Sequence, residues 1–274
     1  MASHEEQMHD AKTIYDTIAE EYVELSKTSG LKKDVIEYTF FNYMLIPNEC
    51  STTSTDNFTL RSKRILDLGC GDGHYTRKLK DLNCSYILGV DISATMINMA
   101  KEKELNDPKG IDYLCANGAI LSKPRDDDRY DIVTGLHYIH YSKTYEELKQ
   151  KIKVIYEQLK PNGTFYSIST NVCGGMEVYN NDKHKKYGFK TETDGELKDG
   201  SEIKHTFYHD VSRPSKCIFY CYYFSPKTYE NFFNEAGFKS LQWIPAQPDP
   251  KVEDKTFYDD FKRYPSIVGM VAKK

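Results

Sequence analysis

Long apolar runs are missing from this 274-residue sequence. No stretch approaches the roughly 18 to 20 consecutive apolar residues that a membrane-spanning helix needs, so a membrane is not an expected partner. A basic surplus is missing too. Lys and Arg number 37 against 41 Asp and Glu, mixed along the whole length, for a net charge of -4. No basic stripe is there to neutralise a phosphate backbone, and nucleic acid is not expected either. The opening MASHEEQMHD is too polar and acidic for a signal peptide, and a cytoplasmic location is the expectation. Seven cysteines, an odd number scattered along the chain, argue for reduced thiols. Cys217 and Cys221 lie four apart, as do His205 and His209, but neither pair has a clear third and fourth ligand, so no metal is expected. No internal repeat or low-complexity tract is evident.

What is present is alternation. From Arg64 onward β-rich runs alternate with helical patterns, the signature of a mostly parallel α/β sheet. Strands are expected at 64–67, 86–91, 111–115, 130–135 and 164–169, with helices at 75–82, 94–105 and 145–159. Helical spacing at 10–22 and 32–45 precedes the sheet, joined to it by a Ser/Thr-rich link at 47–59. After Ser169 a polar stretch, 171–213, is too long for an ordinary connection and reads as a lid or binding segment. An aromatic strand at 217–224 follows. Ser225-Pro226 is a good helix start, with Gly237 as the stop. A strand ending near Trp243 and a last strand at 266–272 complete the pattern. The expected architecture is therefore a Rossmann-like, seven-stranded, mostly parallel sheet with helices on both faces. Residues 1–60 form a helical cap and linker, and 61–274 a core with an insertion at 171–215.

The most informative run is Ile65-Leu66-Asp67-Leu68-Gly69-Cys70-Gly71-Asp72-Gly73. An apolar strand ends in three glycines at alternate positions and a helix follows. Glycine permits a sharp exit from the strand and brings backbone N–H groups against a ligand that a Cβ would push away. A dinucleotide fingerprint needs a third glycine where His74 stands, which weakens a nicotinamide cofactor. At the end of the next strand Asp91 is placed to accept both ribose hydroxyls of a nucleoside ligand. Met96, opening the following helix beside Ile97, offers a polarisable thioether to a base, with ordinary core packing as the alternative.

Asp-x-Gly-x-Gly-x-Gly, a strand-end Asp, and Asp131-Ile132-Val133-Thr134 before an apolar-aromatic run resemble the class I S-adenosylmethionine methyltransferases over residues 64–170. Shorter echoes are similar to the toxoflavin-synthase-like small-molecule methyltransferases: Tyr15-Asp16-x-Ile18-Ala19-x-x-Tyr22, Lys186-Tyr187-Gly188, Phe219-Tyr220 before Tyr229, and Ala236-Gly237-Phe238 leading to Trp243. The resemblance implies that Gly69 and Gly71 line the methionine end of S-adenosylmethionine, Asp91 its ribose, Met96 and Ile92 its adenine, and Leu136 and His137 the methyl end. Asp67, Cys70 and Gly118 join that cofactor set. Where the family carries an acidic residue for the adenine amino group, this chain has Asn117, whose side-chain oxygen can still accept that bond.

Tyr15 and Tyr22 share a helix face; both are candidate cofactor contacts, and Tyr22 suits a lid over the sulfonium because aromatic faces attract cations. Core packing is the alternative for each. Transfer from a sulfonium is an in-line displacement in which the cofactor supplies the activated methyl, so catalysis is expected mainly by positioning. His137, His140 or Tyr141 can take a proton; His137, first beyond the strand end, is the candidate catalytic residue. No Asn-Pro-Pro-Tyr or Asp-Pro-Pro-Tyr run follows the fourth strand, against a base-methylating nucleic-acid enzyme. The expected activity is methyl transfer to a small molecule, at nitrogen, with S-adenosylhomocysteine as product. An NAD-dependent oxidoreductase and a non-catalytic partner subunit of the same fold are the rivals.

Overall fold

A computed structural model describes residues 10–49 and 58–274. The link expected at 47–59, the start of the chain and Cys50 lie wholly or largely outside them. Helix α1 (Ala11–Thr28) is capped by Asp10, whose carboxylate accepts from the Thr13 N–H at 3.0 Å. Two π-helical stretches follow, Leu31–Glu37 and Thr39–Leu45, running into the short α2 (Ile46–Glu49). The spacing here pointed to ordinary helix. Apolar residues four or five apart (Leu31, Val35, Ile36, Phe40, Met44, Leu45), all buried, satisfy either winding.

Next come β1 (Arg64–Leu68), α3 (His74–Asp81), β2 (Tyr86–Asp91), α4 (Ala94–Asn106), β3 (Asp112–Cys115), β4 (Tyr130–Thr134), α5 (Tyr145–Gln158) and β5 (Leu159–Thr170). The seven-stranded sheet runs β3-β2-β1-β4-β5-β10-β9, with β9 (Ser240–Pro245) and β10 (Ile267–Lys273) closing one edge. The first five strands pair in parallel and β10 is antiparallel to both neighbours. Both faces of the sheet are covered. Along the strands Ile65, Ile132 and Tyr166 enter one apolar cluster while Leu66, Val133 and Phe165 enter the other, the period of two that a doubly covered sheet requires. Helix starts are set by side chains: Ser93 Oγ accepts from Met96 N–H at 3.2 Å, Thr144 caps α5, and Ser225 with Pro226 opens α6 (Pro226–Ala236).

The insertion departs from the expected polar stretch. It contains β6 (Phe189–Glu192) and β7 (Glu202–Asp210), which pair antiparallel with β8 (Arg213–Tyr222) in a separate three-stranded sheet. The aromatic strand expected at 217–224 is the second half of β8. α1 lies against this sheet: Tyr22 meets Phe207 edge-on at 5.6 Å, and Lys216 N–H donates to Glu21 Oε1 at 3.3 Å. A short helix, α7 (Asp259–Arg263), has no counterpart in the sequence reading; its Asp260 holds Lys183 and Lys186 of the insertion. Among the described residues no helix is long and apolar enough to cross a membrane.

Candidate active site

The sheet order reverses between β1 and β4, and the crevice outside the carboxyl ends of these strands is where an open α/β sheet binds its ligand. There the structure holds a cavity of about 790 Å³. Single-ligand pockets span roughly 300–1,000 Å³, so this one is at the large end, as cofactor plus acceptor require.

Of the residues expected to bind or act, Tyr15, Tyr22, Gly69, Cys70, Gly71, Asp91, Ile92, Met96, Asn117, Gly118, Leu136 and His137 all line this cavity. Asp67 does not. Its two carboxylate oxygens accept from Thr76 Oγ1 at 2.6 Å and Thr134 Oγ1 at 2.7 Å, and only 2% of the residue is exposed. Asp67 thus pins α3 and β4 to β1 beneath the turn, and burial raises its pKa.

The turn departs from expectation in one respect. Gly69 and Cys70 N–H both donate to Val90 O, at 2.8 and 3.1 Å, Gly71 N–H to Asp91 Oδ2 at 2.8 Å, and Gly73 N–H to Cys70 O at 3.0 Å. These four donors are spent inside the protein. What the glycines give the cavity is room: a Cβ on Gly69, at φ +68°, would stand 3.2 Å from the Tyr138 ring.

Asp91 is pre-oriented. Oδ2 takes the Gly71 N–H and Oδ1 the Ser93 N–H at 2.9 Å, leaving further lone pairs for hydroxyls. Burial raises its pKa while those amides pull it down. Met96, 2% exposed, packs with Ala19 and Val23 of α1, so packing and cavity lining coexist. Asn117 Oδ1 accepts from Ala119 N–H at 2.9 Å, capping the turn after β3 and engaging one of its lone pairs. The sulfonium, sugar and base contacts implied by the resemblance therefore have candidate residues around one cavity.

Beyond the turn the cavity becomes an aromatic chamber. Tyr15 Oη and Tyr141 Oη lie 2.7 Å apart, Tyr15 meets Tyr22 edge-on at 5.4 Å, and His205 stacks on Phe219 at 4.7 Å. Three imidazoles gather here: His137 and His140 ring centres are 5.6 Å apart, those of His140 and His205 6.2 Å. All are held neutral. Burial, then the Lys32 charge, lowers His137 to about 4; burial, then His137, lowers His205 to about 3; burial, then His137, His205 and Lys151, sends His140 well below its usual range. His137 sits at φ +57° with its N–H donated to Ile168 O at 2.7 Å.

Lys32, Tyr75, His205, Phe207, Phe219 and Ser266 also line the cavity but were not singled out from the sequence as site residues. For β7 and β8 a signal existed: Ile203, His205 and Phe207 alternate, opposite Cys221 and Phe219.

Residues 66–167 match the family model of the methyltransferase domain. The chain is similar to the ubiquinone biosynthesis O-methyltransferase of Coxiella burnetii, 30% identical over 113 residues, or 41% of this chain and 46% of that protein. It therefore spans about half the length of this relative. Its fold is similar to that of an S-adenosylmethionine-dependent methyltransferase from Clostridium acetobutylicum, with 18% identity, TM-score 0.56, and 95% and 96% of the two chains covered. A structure of an amino pentose methyltransferase from Micromonospora echinaspora with S-adenosylmethionine bound gives 13% identity, TM-score 0.57, and 94% and 96% coverage. The likeness to a methyltransferase domain thus covers residues 66–167, on a mostly parallel sheet of the order β3-β2-β1-β4-β5-β10-β9.

Proposed function

We propose that this protein transfers the methyl group of S-adenosylmethionine to a small molecule, at nitrogen, releasing S-adenosylhomocysteine. The observation that carries the reading is that one cavity joins the glycine turn and Asp91 to an aromatic chamber walled by buried imidazoles. Bound S-adenosylmethionine supplies a methyl already activated as a sulfonium. Asp91 orients the ribose, Ile92 and Met96 take the base, and Tyr22 presents a ring face to the positive sulfur. Leu136 and His137 border the point of transfer.

The chamber favours nitrogen because its imidazoles are weak bases. A group held at about 4, like His137, does not remove a proton from an alcohol at neutral pH, so the acceptor has to bring a free lone pair. A neutral nitrogen does; its proton leaves after transfer, when the product is acidic. Catalysis then rests on positioning and exclusion of water. Residues 1–60 are read as a cap and linker and 171–215 as a lid on the 61–274 core, and the tyrosine and Ala-Gly-Phe echoes resemble the toxoflavin-synthase-like enzymes. A radiolabelled methyl-transfer screen over amines, azaheterocycles, thiols, phenols and carboxylates tests this. Label on nitrogen acceptors is expected; label on oxygen acceptors alone overturns the nitrogen reading, and no heat on titrating S-adenosylhomocysteine into the protein overturns the methyltransferase reading.

A further inference from the structure

We infer that the methyl acceptor is an anion: Lys32 receives its ionised oxygen group, and the His140 Nε2–H donates to a second oxygen or ring acceptor. This rests on the methyltransferase reading and specifies its substrate class.

Lys32 supplies the charge. It lines the cavity, half-buried, and among the described residues no carboxylate forms an ion pair with its ammonium, which reaches Ser26 Oγ at 3.2 Å and stands 5.7 Å from the Tyr75 ring centre. The carboxylates whose charge it feels are committed elsewhere. Asp72 is held by Lys103, and Glu37 by His74 at 2.7 Å and Lys78 at 2.9 Å. A cation desolvated without a paired carboxylate is costly unless a ligand completes it.

His140 supplies direction. The Thr170 backbone N–H, which can only donate, points at Nδ1 from 3.4 Å, and Ser169 Oγ lies 3.0 Å from the same nitrogen. Nδ1 is therefore the lone-pair nitrogen, and the neutral ring carries its proton on Nε2. That N–H has no partner among the described residues although His140 is only 2% exposed and lines the cavity. Ser266 Oγ and Tyr75 Oη, also on the cavity wall, are buried and likewise without a partner among the described residues. A buried donor without a partner costs free energy that a ligand oxygen recovers. Among the described residues no carboxylate lines the chamber around His137, His140 and His205 to receive a protonated amine; the lining acids are Asp10, Asp72, Asp91, Glu146 and Glu147, of the turn, strand ends and helix starts.

The cofactor's own carboxylate is the other source of such an anion. The acceptor is favoured because Lys32 belongs to the cap segment whose Leu31 and Ile36 share an apolar cluster with Phe189 and Ile267, and its charge reaches His137 beyond β4.

The test uses the full chain and its Lys32→Met and Lys32→Arg variants. Calorimetry first measures S-adenosylhomocysteine and 5′-methylthioadenosine, which lacks the amino-acid end. Saturation-transfer NMR on protein saturated with S-adenosylhomocysteine then compares benzoate, benzamide and benzylamine. Benzoate is expected to bind about tenfold tighter than either neutral or cationic analogue, to lose about that factor in Lys32→Met, and to recover it in Lys32→Arg. Benzylamine binding as well as benzoate, or benzoate indifferent to Lys32→Met, overturns the inference alone, provided S-adenosylhomocysteine binds. Loss of S-adenosylhomocysteine affinity in Lys32→Met with 5′-methylthioadenosine unchanged assigns Lys32 to the cofactor carboxylate and overturns it too. Failure of the parent to bind S-adenosylhomocysteine removes the methyltransferase reading itself.

Discussion

Gly69, Asp91 and Asn117 stand at the ends of three adjacent strands within one stretch of chain, while Tyr22, Lys32, His140, His205, Phe219 and Ser266 reach the same cavity from six separate segments. The turn side is held by backbone and carboxylate: Val90 O and Asp91 fix the turn through short local bonds. The chamber side is held by ring contacts and by imidazoles kept uncharged. The first depends on residues close in sequence, the second on distant segments docking together. Acid and substitution should therefore strike the two sides differently.

The largest effect is expected from acid. An unfolded histidine titrates near 6.5, whereas His137 is held at about 4, His205 at about 3 and His140 well below its usual range. Between those values the unfolded chain binds more protons than the folded one. The stability that the neutral rings represent is thus complete above about pH 6.5 and is lost as pH falls through the folded values. From pH 6.5 to 5 the loss is roughly 1.5–2 kcal/mol each for His137 and His205, with His140 acting in the same direction. Urea unfolding at pH 7.5 and 5.0 measures it, and His205→Phe should lessen the drop by roughly 1.5–2 kcal/mol. Equal stability at the two pH values would break the contrast.

Next is Asp91→Ala, expected to weaken cofactor binding at least about tenfold, from the loss of hydrogen bonds worth about 1.5–3 kcal/mol each to a charged acceptor. Calorimetry with S-adenosylhomocysteine checks it. Undiminished affinity in a folded variant would mean that the ribose lies elsewhere.

A third outcome concerns the seam between α1 and the β6–β8 sheet. Hydrogen exchange at residues 10–25 and 175–210 should slow on addition of S-adenosylhomocysteine, along with the glycine turn. Protection confined to the turn would leave these segments a fixed wall and not a lid.

The smallest is Glu21→Gln, which removes the charge that Glu21 presents to His209 at 3.2 Å on the half-exposed rim of that seam. A change in unfolding free energy of at most ~1 kcal/mol is expected. A larger loss would make the rim, and not the rings beneath it, what holds α1 down.

The same contrast explains what was legible in the sequence. Strands β1 to β5 and the turn after β1 announce themselves because apolar alternation, glycines and a strand-end carboxylate are neighbours in the chain. β6 and β7 were hidden in a stretch rich in Asn, Lys, Asp and Gly. On β7 the residues facing the chamber, His205 and Phe207, alternate with Lys204 and Thr206, but they pair with β8 in a sheet apart from the main one, so hydrophobic content was a weak guide. Asp67 was misplaced for the opposite reason: it stands in the motif, yet its strand turns it toward Thr76 and Thr134. Lys32 carried no signal, since a lysine in a helical pattern is ordinarily solvated, and only packing against Tyr75 and Ser26 brings it inside.

The hydroxyl pair between Tyr15 and Tyr141 joins residues 126 apart, and the Lys216–Glu21 bond spans 195. Read in the order of synthesis, this makes α1 an early arrival with late partners. At roughly 5–20 residues per second, the strand that covers it leaves the ribosome some 10–40 s after the helix does. During that interval Tyr22 has no Phe207, and Glu21 no Lys216, to meet. A segment made well before β6–β8 thus gains part of its partners late, and the chamber it borders takes shape only when the β6–β8 sheet is complete.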